Sequence, residues 1–239
     1  MNPEWNSSLH DLEDEIIACR KCARLVEWRE EVARTRRKSF RSEIYWGRPV
    51  PGFGDPQARV LAVGLAPGAH GSNRTGRMFT GDDSGVFLYR ALYRAGFANQ
   101  PQASDREDGL RLNDIFISAV CRCVPPGNKP APQEIRTCLP YLAREIGLLA
   151  GLEGVVALGR IGFEGILALF AERLASPALA RLRDSFAHGA VLRLGPGLPW
   201  VVASYHPSRQ NTQTGRLTEA MFDAIWLQVR ELLPHRSEK

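Results

Sequence analysis

The chain has 239 residues and a formal net charge of +5, and 44% of its residues are hydrophobic and 24% charged. This length suits one α/β domain over residues 1–239, with enough apolar material for a core. No apolar run approaches the roughly 20 residues that a membrane-spanning helix needs, and the first residues are too polar and acidic for a secretory signal. We therefore expect a cytoplasmic protein with no membrane partner. The modest basic excess suits a polyanionic partner such as nucleic acid without requiring one.

The N-terminal region is rich in charged and aromatic residues. Residues 7–38 predict helix, with Cys19 and Cys22 one turn apart in it. Lys and Arg side chains are interspersed with Trp, Tyr and Phe over residues 28–48. This mixture is typical either of a solvated helix followed by a loop or of a surface that neutralises phosphates, with the aromatic residues as anchors. Both interpretations are open.

Apolar runs and turn residues alternate along the rest of the chain. Short apolar runs bounded by Gly and Pro predict strands, and longer periodic segments with capping residues predict helices. The predicted strands are 59–67, 114–120, 154–160, 187–194 and 200–207, and the predicted helices are 82–96, 132–152 with a kink or restart at Pro140, a segment from 162, and 217–233. This alternation predicts an α/β fold with a parallel sheet covered by helices on both faces.

Three long polar loops follow predicted strands, and folds of this class bind ligands at the carboxyl ends of their strands. The first loop, residues 64–81, has five glycines in eighteen residues, which lets the backbone approach a ligand closely. It matches neither the dinucleotide-binding pattern nor the P-loop pattern, so we expect no nucleotide cofactor. The last loop, residues 206–216, begins with His206, for which a structural and a catalytic role are both open.

The five cysteines predict a metal or cluster site. An odd count in a chain expected in the cytoplasm argues against a disulfide framework. Two residues separate Cys19 from Cys22 and fourteen separate Cys123 from Cys138, so the two pairs can close a tetrahedral thiolate site. The spacing leaves zinc and iron–sulfur both open. We interpret Cys121 as a small buried hydrophobic residue.

Four segments together resemble the family 5 iron–sulfur uracil-DNA glycosylases. They are residues 46–56, 64–81, 123–134 and 206–218, and they occur in the order expected for that family. The resemblance implies a single three-layer αβα domain with a central parallel four-stranded sheet. It also implies a structural 4Fe–4S cluster, which an N-terminal helical segment helps to bind. The ligands of the cluster would be Cys19, Cys22, Cys123 and Cys138.

The family's reaction suggests roles for particular side chains. Such an enzyme flips the damaged base out of DNA and hydrolyses its N-glycosidic bond, which a monomer can do on double-stranded or single-stranded DNA. The resemblance implies that His206 donates a hydrogen bond to the departing base and that Phe79 stacks on it, unless Phe79 is a core residue. Asp82 is the candidate for positioning water. A helix cap is an equally open role for it, and Asp83 competes for both.

Two departures from the related family 4 pattern bear on the positioning of water and on base recognition. The first motif, with Gly64 and Ala66, has no carboxylate at the position where family 4 carries glutamate. Ala119 stands where that family has an asparagine able to read uracil, and Asn128 is the nearest polar substitute. We therefore expect relaxed specificity, with removal of hypoxanthine or other deaminated bases as well as uracil.

The last loop is expected to enter the duplex and fill the gap left by the flipped nucleotide. The candidate residues there are Ser208, Arg209, Gln210 and Asn211, with Arg74, Arg77 and Arg216 available for phosphates. Two other functions remain open, a non-catalytic iron–sulfur module that binds nucleic acid and a small-molecule enzyme that holds phosphate in the glycine-rich loop. The missing nucleotide-binding motifs argue against the second of these.

Overall fold

The computed structural model describes residues 3–174 and 176–234. The strands are β1 (Phe53–Gly54), β2 (Val60–Gly64), β3 (Ile115–Ala119), β4 (Gly154–Leu158), β5 (Val191–Arg193) and β6 (Trp200–Ser204). The helices are α1 (Pro3–Ile17), α2 (Ala23–Thr35), α3 (Ser72–Thr75), α4 (Asp83–Arg94), α5 (Pro132–Leu148), α6 (Arg160–Leu169), α7 (Ser176–Asp184), α8 (Arg209–Gln213) and α9 (Glu219–Leu232). Short 3₁₀ helices cover Lys38–Phe40, Pro126–Asn128 and Ala171–Arg173.

The strands form one sheet in the order β1-β3-β2-β4-β6-β5. The inner strands β3, β2, β4 and β6 are parallel, so the predicted α/β class and parallel four-stranded sheet are confirmed. The edge strands β1 and β5 are antiparallel to their neighbours and extend this sheet to six strands. Every residue of the four parallel strands is buried, which is why they read in the sequence as continuous apolar runs rather than alternating ones.

Helices cover both faces of the sheet and divide its core into two parts. Along β2, Val60 and Ala62 belong to the core part that also contains residues of α4 and α9. Leu61 and Val63 belong to the other part, with residues of α5 and α6. Burying a Val or Leu side chain in this way contributes about 1.5–3 kcal/mol. The two-residue period of the strand therefore holds helices on both faces.

The N-terminal segment differs from the predicted helix over residues 7–38. The helix is interrupted at residues 18–22, between α1 and α2, and Cys19 and Cys22 both lie in this break. Contact between α1 and α5 anchors the segment. The buried side chains in that contact are Leu12, Ile16 and Tyr141.

Helix α5 contains Pro140, where the sequence predicts a kink or a restart. The helix is continuous from Pro132 to Leu148, so no restart occurs. The proline removes one backbone hydrogen bond, and packing of α5 against α1 and α6 holds the helix together around it. Among the described helices, none is both long enough and apolar enough to cross a bilayer.

The strand order creates a crevice at the carboxyl ends of β2 and β4. From β2 the chain passes to β3 on one side, and it later returns to β4 on the other side. Loops that leave β2 and β4 therefore run in opposite directions, which opens a space between them. The loop after β6 borders the same space because β6 lies next to β4.

Candidate active site

A cavity of about 620 Å³ lies at this edge of the sheet. Its walls come from the loop after β2, the turn before α4, the loop after β3 and the loop after β6. The predicted site residues that line it are Ala66, Phe79, Asp82, Asn128, His206, Ser208, Arg209 and Gln210. The remaining two do not line it: Gly64 lies against the Phe79 ring, and Asn211 donates a hydrogen bond to the His206 carbonyl oxygen. Residues far apart in the chain thus meet around one cavity.

Phe79 belongs both to the core and to the cavity wall. Its side chain is 8% exposed, and its backbone has a φ of 51°, in the left-handed region that is strained for a bulky residue. Gly64, at the end of β2, makes room for the ring, since a Cβ added there would lie 2.7 Å from Phe79 Cζ. The glycine therefore lets the aromatic ring approach the end of the strand at the cavity.

His206 follows β6, and its ring faces that of Phe79. The ring centroids are 5.9 Å apart and the planes differ by 30°. The Asn211 side chain donates a hydrogen bond to the His206 carbonyl oxygen at 2.8 Å, so Asn211 braces the histidine. Burial lowers the pKa of His206 to about 4. The imidazole is therefore neutral near pH 7 and carries one N–H donor.

Asp82 caps a helix with one carboxylate oxygen and presents the other beside the glycine-rich loop. Its Oδ1 accepts a hydrogen bond from the Gly85 amide at 3.0 Å, which caps α4. Its Oδ2 faces the glycine-rich loop, where a Cβ added at Gly68 would lie 2.7 Å away. Burial raises the pKa of Asp82, and the cap hydrogen bond opposes this rise while the neighbouring Asp83 adds to it. The carboxylate has one oxygen for the cap and one beside the cavity.

Asp83 and Asn128 occupy more open positions. Asp83 is exposed and forms an ion pair with Arg209 at 3.6 Å, so it lies at the rim rather than inside. Asn128 is exposed and lines the cavity from the turn after β3, with a φ of 57°. Ala119 ends β3 and is buried, so no amide is present at that position. Asn128 is thus a polar group at the mouth of the cavity, on a different loop from His206.

The four predicted ligand cysteines line a second, smaller cavity. Cys19 and Cys22 approach it from the break between α1 and α2, Cys123 from the loop after β3, and Cys138 from α5. No three His, Cys, Asp or Glu side chains within residues 3–174 and 176–234 are arranged to hold a metal ion. The thiols surround this space without converging on one point.

A family model of the uracil-DNA glycosylase superfamily matches residues 51–230, which include the walls of the first cavity apart from Arg37. This chain belongs to the uracil-DNA glycosylase superfamily. The match extends from the turn before β1 into α9, so it includes the whole sheet.

Several relatives in the superfamily match most of this chain. A type-5 uracil-DNA glycosylase of Thermus thermophilus is 52% identical over 217 residues, covering 91% of this chain and 94% of the relative. One from Mycobacterium leprae is 48% identical over 227 residues, covering 94% and 96%. One from Pyrobaculum aerophilum is 41% identical over 208 residues, covering 87% and 86%. The family 5 resemblance that the sequence motifs suggest is confirmed.

Two of the arginines predicted to be available for phosphates instead form hydrogen bonds and ion pairs within the protein. Arg74 donates to carbonyl oxygens at 2.7 and 2.9 Å and forms an ion pair with Glu43. Arg77 is buried and binds both carboxylate oxygens of Asp108, at 2.8 and 2.6 Å. The prediction for these two residues is therefore wrong, because their guanidinium groups hold the turn between α3 and α4 in place. Arg216 is exposed and stays a candidate.

The residues around the cysteine cavity fit an anionic group bound by thiolates. Arg29 and Arg122 line this cavity and are 2% and 1% exposed. Arg29 Nη1 donates to Cys123 Sγ at 3.0 Å, and the Arg122 amide donates to Cys138 Sγ at 3.2 Å. Among described atoms, Arg29 Nε and two guanidinium nitrogens of Arg122 are buried without a partner. Such unpaired donors are costly, and a negatively charged group in the cavity would satisfy them.

Cys121 differs from the other four cysteines. It is fully buried in the core part beneath α5 and α6 and does not line the cysteine cavity, as its interpretation as a hydrophobic residue predicts. A hydrogen bond between the Cys121 and Cys138 side chains lowers the pKa of the Cys138 thiol, despite burial. Cys121 therefore supports a cysteine that faces the cavity.

Proposed function

We propose that this chain hydrolyses the N-glycosidic bond of uracil in DNA and so initiates base excision repair. The observation that carries the proposal is the meeting of Phe79, His206 and Asp82 around one cavity at the carboxyl ends of the strands. A base within a duplex must leave the stack to enter such a cavity, at a cost of a few kcal/mol. Stacking on an aromatic ring, about 1–3 kcal/mol per base, offsets much of this cost.

Each side chain then meets a distinct need of the reaction. Breaking the bond leaves negative charge on the base and positive character on the sugar. The neutral imidazole of His206 donates a hydrogen bond to the base carbonyl where that negative charge develops. The Oδ2 atom of Asp82 orients the water that attacks the sugar, and its charge favours the sugar cation. The bond from Gly85 keeps the carboxylate fixed in this orientation.

The range of bases follows from what the cavity lacks. Ala119 stands where family 4 has an asparagine able to read uracil, so this chain has no amide at that position. Asn128 lies on an exposed turn at the mouth, where it can meet bases of different shape. We therefore propose that hypoxanthine is removed as well as uracil. A single-turnover assay on duplexes with one uracil or one hypoxanthine tests this, and release of uracil with no release of hypoxanthine would refute it.

The loop after His206 is proposed to enter DNA. Arg209 and Gln210 begin α8, are exposed and line the mouth of the cavity, which suits insertion into the space left by a flipped nucleotide. Asn211 is less suited, because its amide already donates to the His206 carbonyl. A monomer with this loop can act on double-stranded DNA and also on single-stranded DNA, where no gap needs filling.

We also propose that the cysteine cavity binds a structural 4Fe–4S cluster. Four cysteines from three chain segments, and the buried Arg29 guanidinium group that donates to Cys123 Sγ, suit its charge. The cluster would take no part in the reaction, and it would link residues 18–22, between α1 and α2, to α5. Purified protein is expected to absorb at about 400 nm and to contain iron, whereas a zinc-bound form would be colourless.

Replacing Arg29 with methionine is expected to shorten the lifetime of that absorbance in air severalfold. The change removes the bond to Cys123 Sγ and a buried positive charge beside the thiolates. The matched control is Arg34→Met, because Arg34 lies on the same helix with an exposed side chain. Circular dichroism confirms that both variants fold. Equal lifetimes for the two variants would contradict the role given to Arg29.

A further inference from the structure

Three residues from two loops form a hydrogen-bonded corner beside the cavity. The main-chain amide of Arg37 donates to the Tyr45 hydroxyl at 3.3 Å. That hydroxyl oxygen is 3.1 Å from Nδ1 of His70, and the two rings meet edge to face. Because the oxygen already accepts from an amide, its own proton is available to Nδ1. On this basis we assign Nδ1 of His70 as the acceptor and the ring proton to Nε2.

The free donor of His70 is turned toward the cavity. His70 lines the cavity, whereas Tyr45 is 7% exposed and lies behind it. The two ring nitrogens of an imidazole point in nearly opposite directions, so anchoring Nδ1 on Tyr45 directs Nε2–H away from the protein interior. No described residue accepts a hydrogen bond from Nε2. Burial, with a smaller effect of the Arg37 charge, lowers the pKa of His70 and keeps the ring neutral.

Arg37 adds a positive charge to the same corner. Its guanidinium group is exposed, lines the cavity and forms neither a hydrogen bond nor an ion pair with any described residue. The other cations near the cavity differ in this respect. Arg74 is bonded within its loop, and Arg209 pairs with Asp83. The corner therefore offers a fixed N–H donor and a cation, neither of which pairs with an acceptor among the described residues.

Such a corner matches a phosphate better than a base. A base edge presents donors as well as acceptors, whereas a phosphate presents only acceptor oxygens and a negative charge. A nucleotide that reaches Phe79 and His206 carries its flanking phosphates along the rim. We propose that His70 and Arg37 bind a backbone phosphate next to the flipped nucleotide, and that Tyr45 is a positioning residue for His70. This inference rests on the proposed action on DNA and gives a specific role to the basic, aromatic segment 28–48.

Single-turnover kinetics test the assignment on a duplex containing one uracil. The half-saturating protein concentration reports binding of the duplex, and the saturated rate reports bond cleavage. His70→Leu and Arg37→Ala are each expected to raise the half-saturating concentration about tenfold. The saturated rate is expected to stay within threefold of wild type. Tyr45→Phe should show a smaller rise of the same kind, and His70→Gln should recover most of the affinity because its amide restores a donor. Lys38→Ala removes a neighbouring exposed cation and is expected to behave as wild type.

A neutral methylphosphonate in place of each phosphate flanking the uracil identifies the contact. At one of these positions the methylphosphonate should lower the affinity of wild type about tenfold. His70→Leu and Arg37→Ala, which lack the contact, should bind this modified duplex almost as tightly as they bind the unmodified one. Arg37→Ala should also lower the slope of log affinity against log salt by about one. The inference would be overturned if the variants lowered the saturated rate without changing affinity. It would also be overturned if the affinity losses from the protein substitution and from the methylphosphonate added at every position. Equilibrium binding of the same duplexes, followed by fluorescence anisotropy, gives the affinities without turnover. Wild type that binds but never releases uracil would therefore contradict the proposed function and not this contact.

Discussion

Replacing His206 with alanine is expected to slow uracil excision by about 100- to 1,000-fold in single turnover, the usual effect of losing one donor to a developing anion. The structure keeps this imidazole neutral by burial, faces it to Phe79 and braces its carbonyl through Asn211. The change leaves the sheet untouched, so the melting temperature should remain close to that of wild type. Rates on a duplex with one central uracil, measured with protein in excess, give the comparison.

Two controls sharpen the His206 experiment. His10→Ala removes an exposed histidine of α1 and is expected to keep the wild-type rate. The pH profile is the second control. Because the pKa of His206 is lowered to about 4, the ratio of wild-type to variant rates should be constant from about pH 8 to pH 6 and should change only as pH approaches that value. A variant within fivefold of wild type, or a ratio that falls with a midpoint near 6.5, would contradict the role as a neutral donor.

Replacing Asp82 with asparagine is expected to reduce the saturated excision rate by about 100-fold or more while leaving the protein stably folded. Asparagine is a good helix cap, so its side-chain oxygen can still accept the bond from Gly85. What it lacks is the charge on the oxygen beside the glycine-rich loop. Asp82→Ala loses both features and should also lower stability by about 1 kcal/mol.

Asp83→Asn is the matched control, since Asp83 is the adjacent acidic residue and is exposed at the rim. It should retain a rate near wild type. Thermal unfolding of all three variants separates the cap from the reaction. If Asp82→Asn is as fast as wild type and Asp82→Ala is only less stable, the carboxylate is a helix cap and another group positions the water.

Much of the fold could be predicted because the parallel strands carry their own signal. Each is a short run buried on both faces, and helices with recognisable caps lie between them. Strand β1 had no such signal, because it has two residues and exists only by pairing with Ile117 and Phe116. The break at residues 18–22 was missed for a related reason, since charged residues continue through it without a helix-ending glycine or proline.

The site was predictable where its residues follow strands and less so where distant partners decide their role. His206 and the glycine-rich loop were placed correctly at the carboxyl ends of strands. Arg74 and Arg77 read as free cations because Glu43 and Asp108, which engage them, are each 31 residues away in the chain. The contact between Tyr45 and His70 was missed for the same reason.

The measurement that tests the central claim most directly is single-turnover incubation of wild type, with protein in excess, on a duplex with one central uracil. Free uracil and alkali-labile abasic sites are counted against a matched thymine duplex. We predict one uracil and one abasic site per bound duplex, and no such burst with His206→Ala over the same time. Tight binding of the duplex without release of uracil would contradict the account and would favour a non-catalytic nucleic-acid-binding protein.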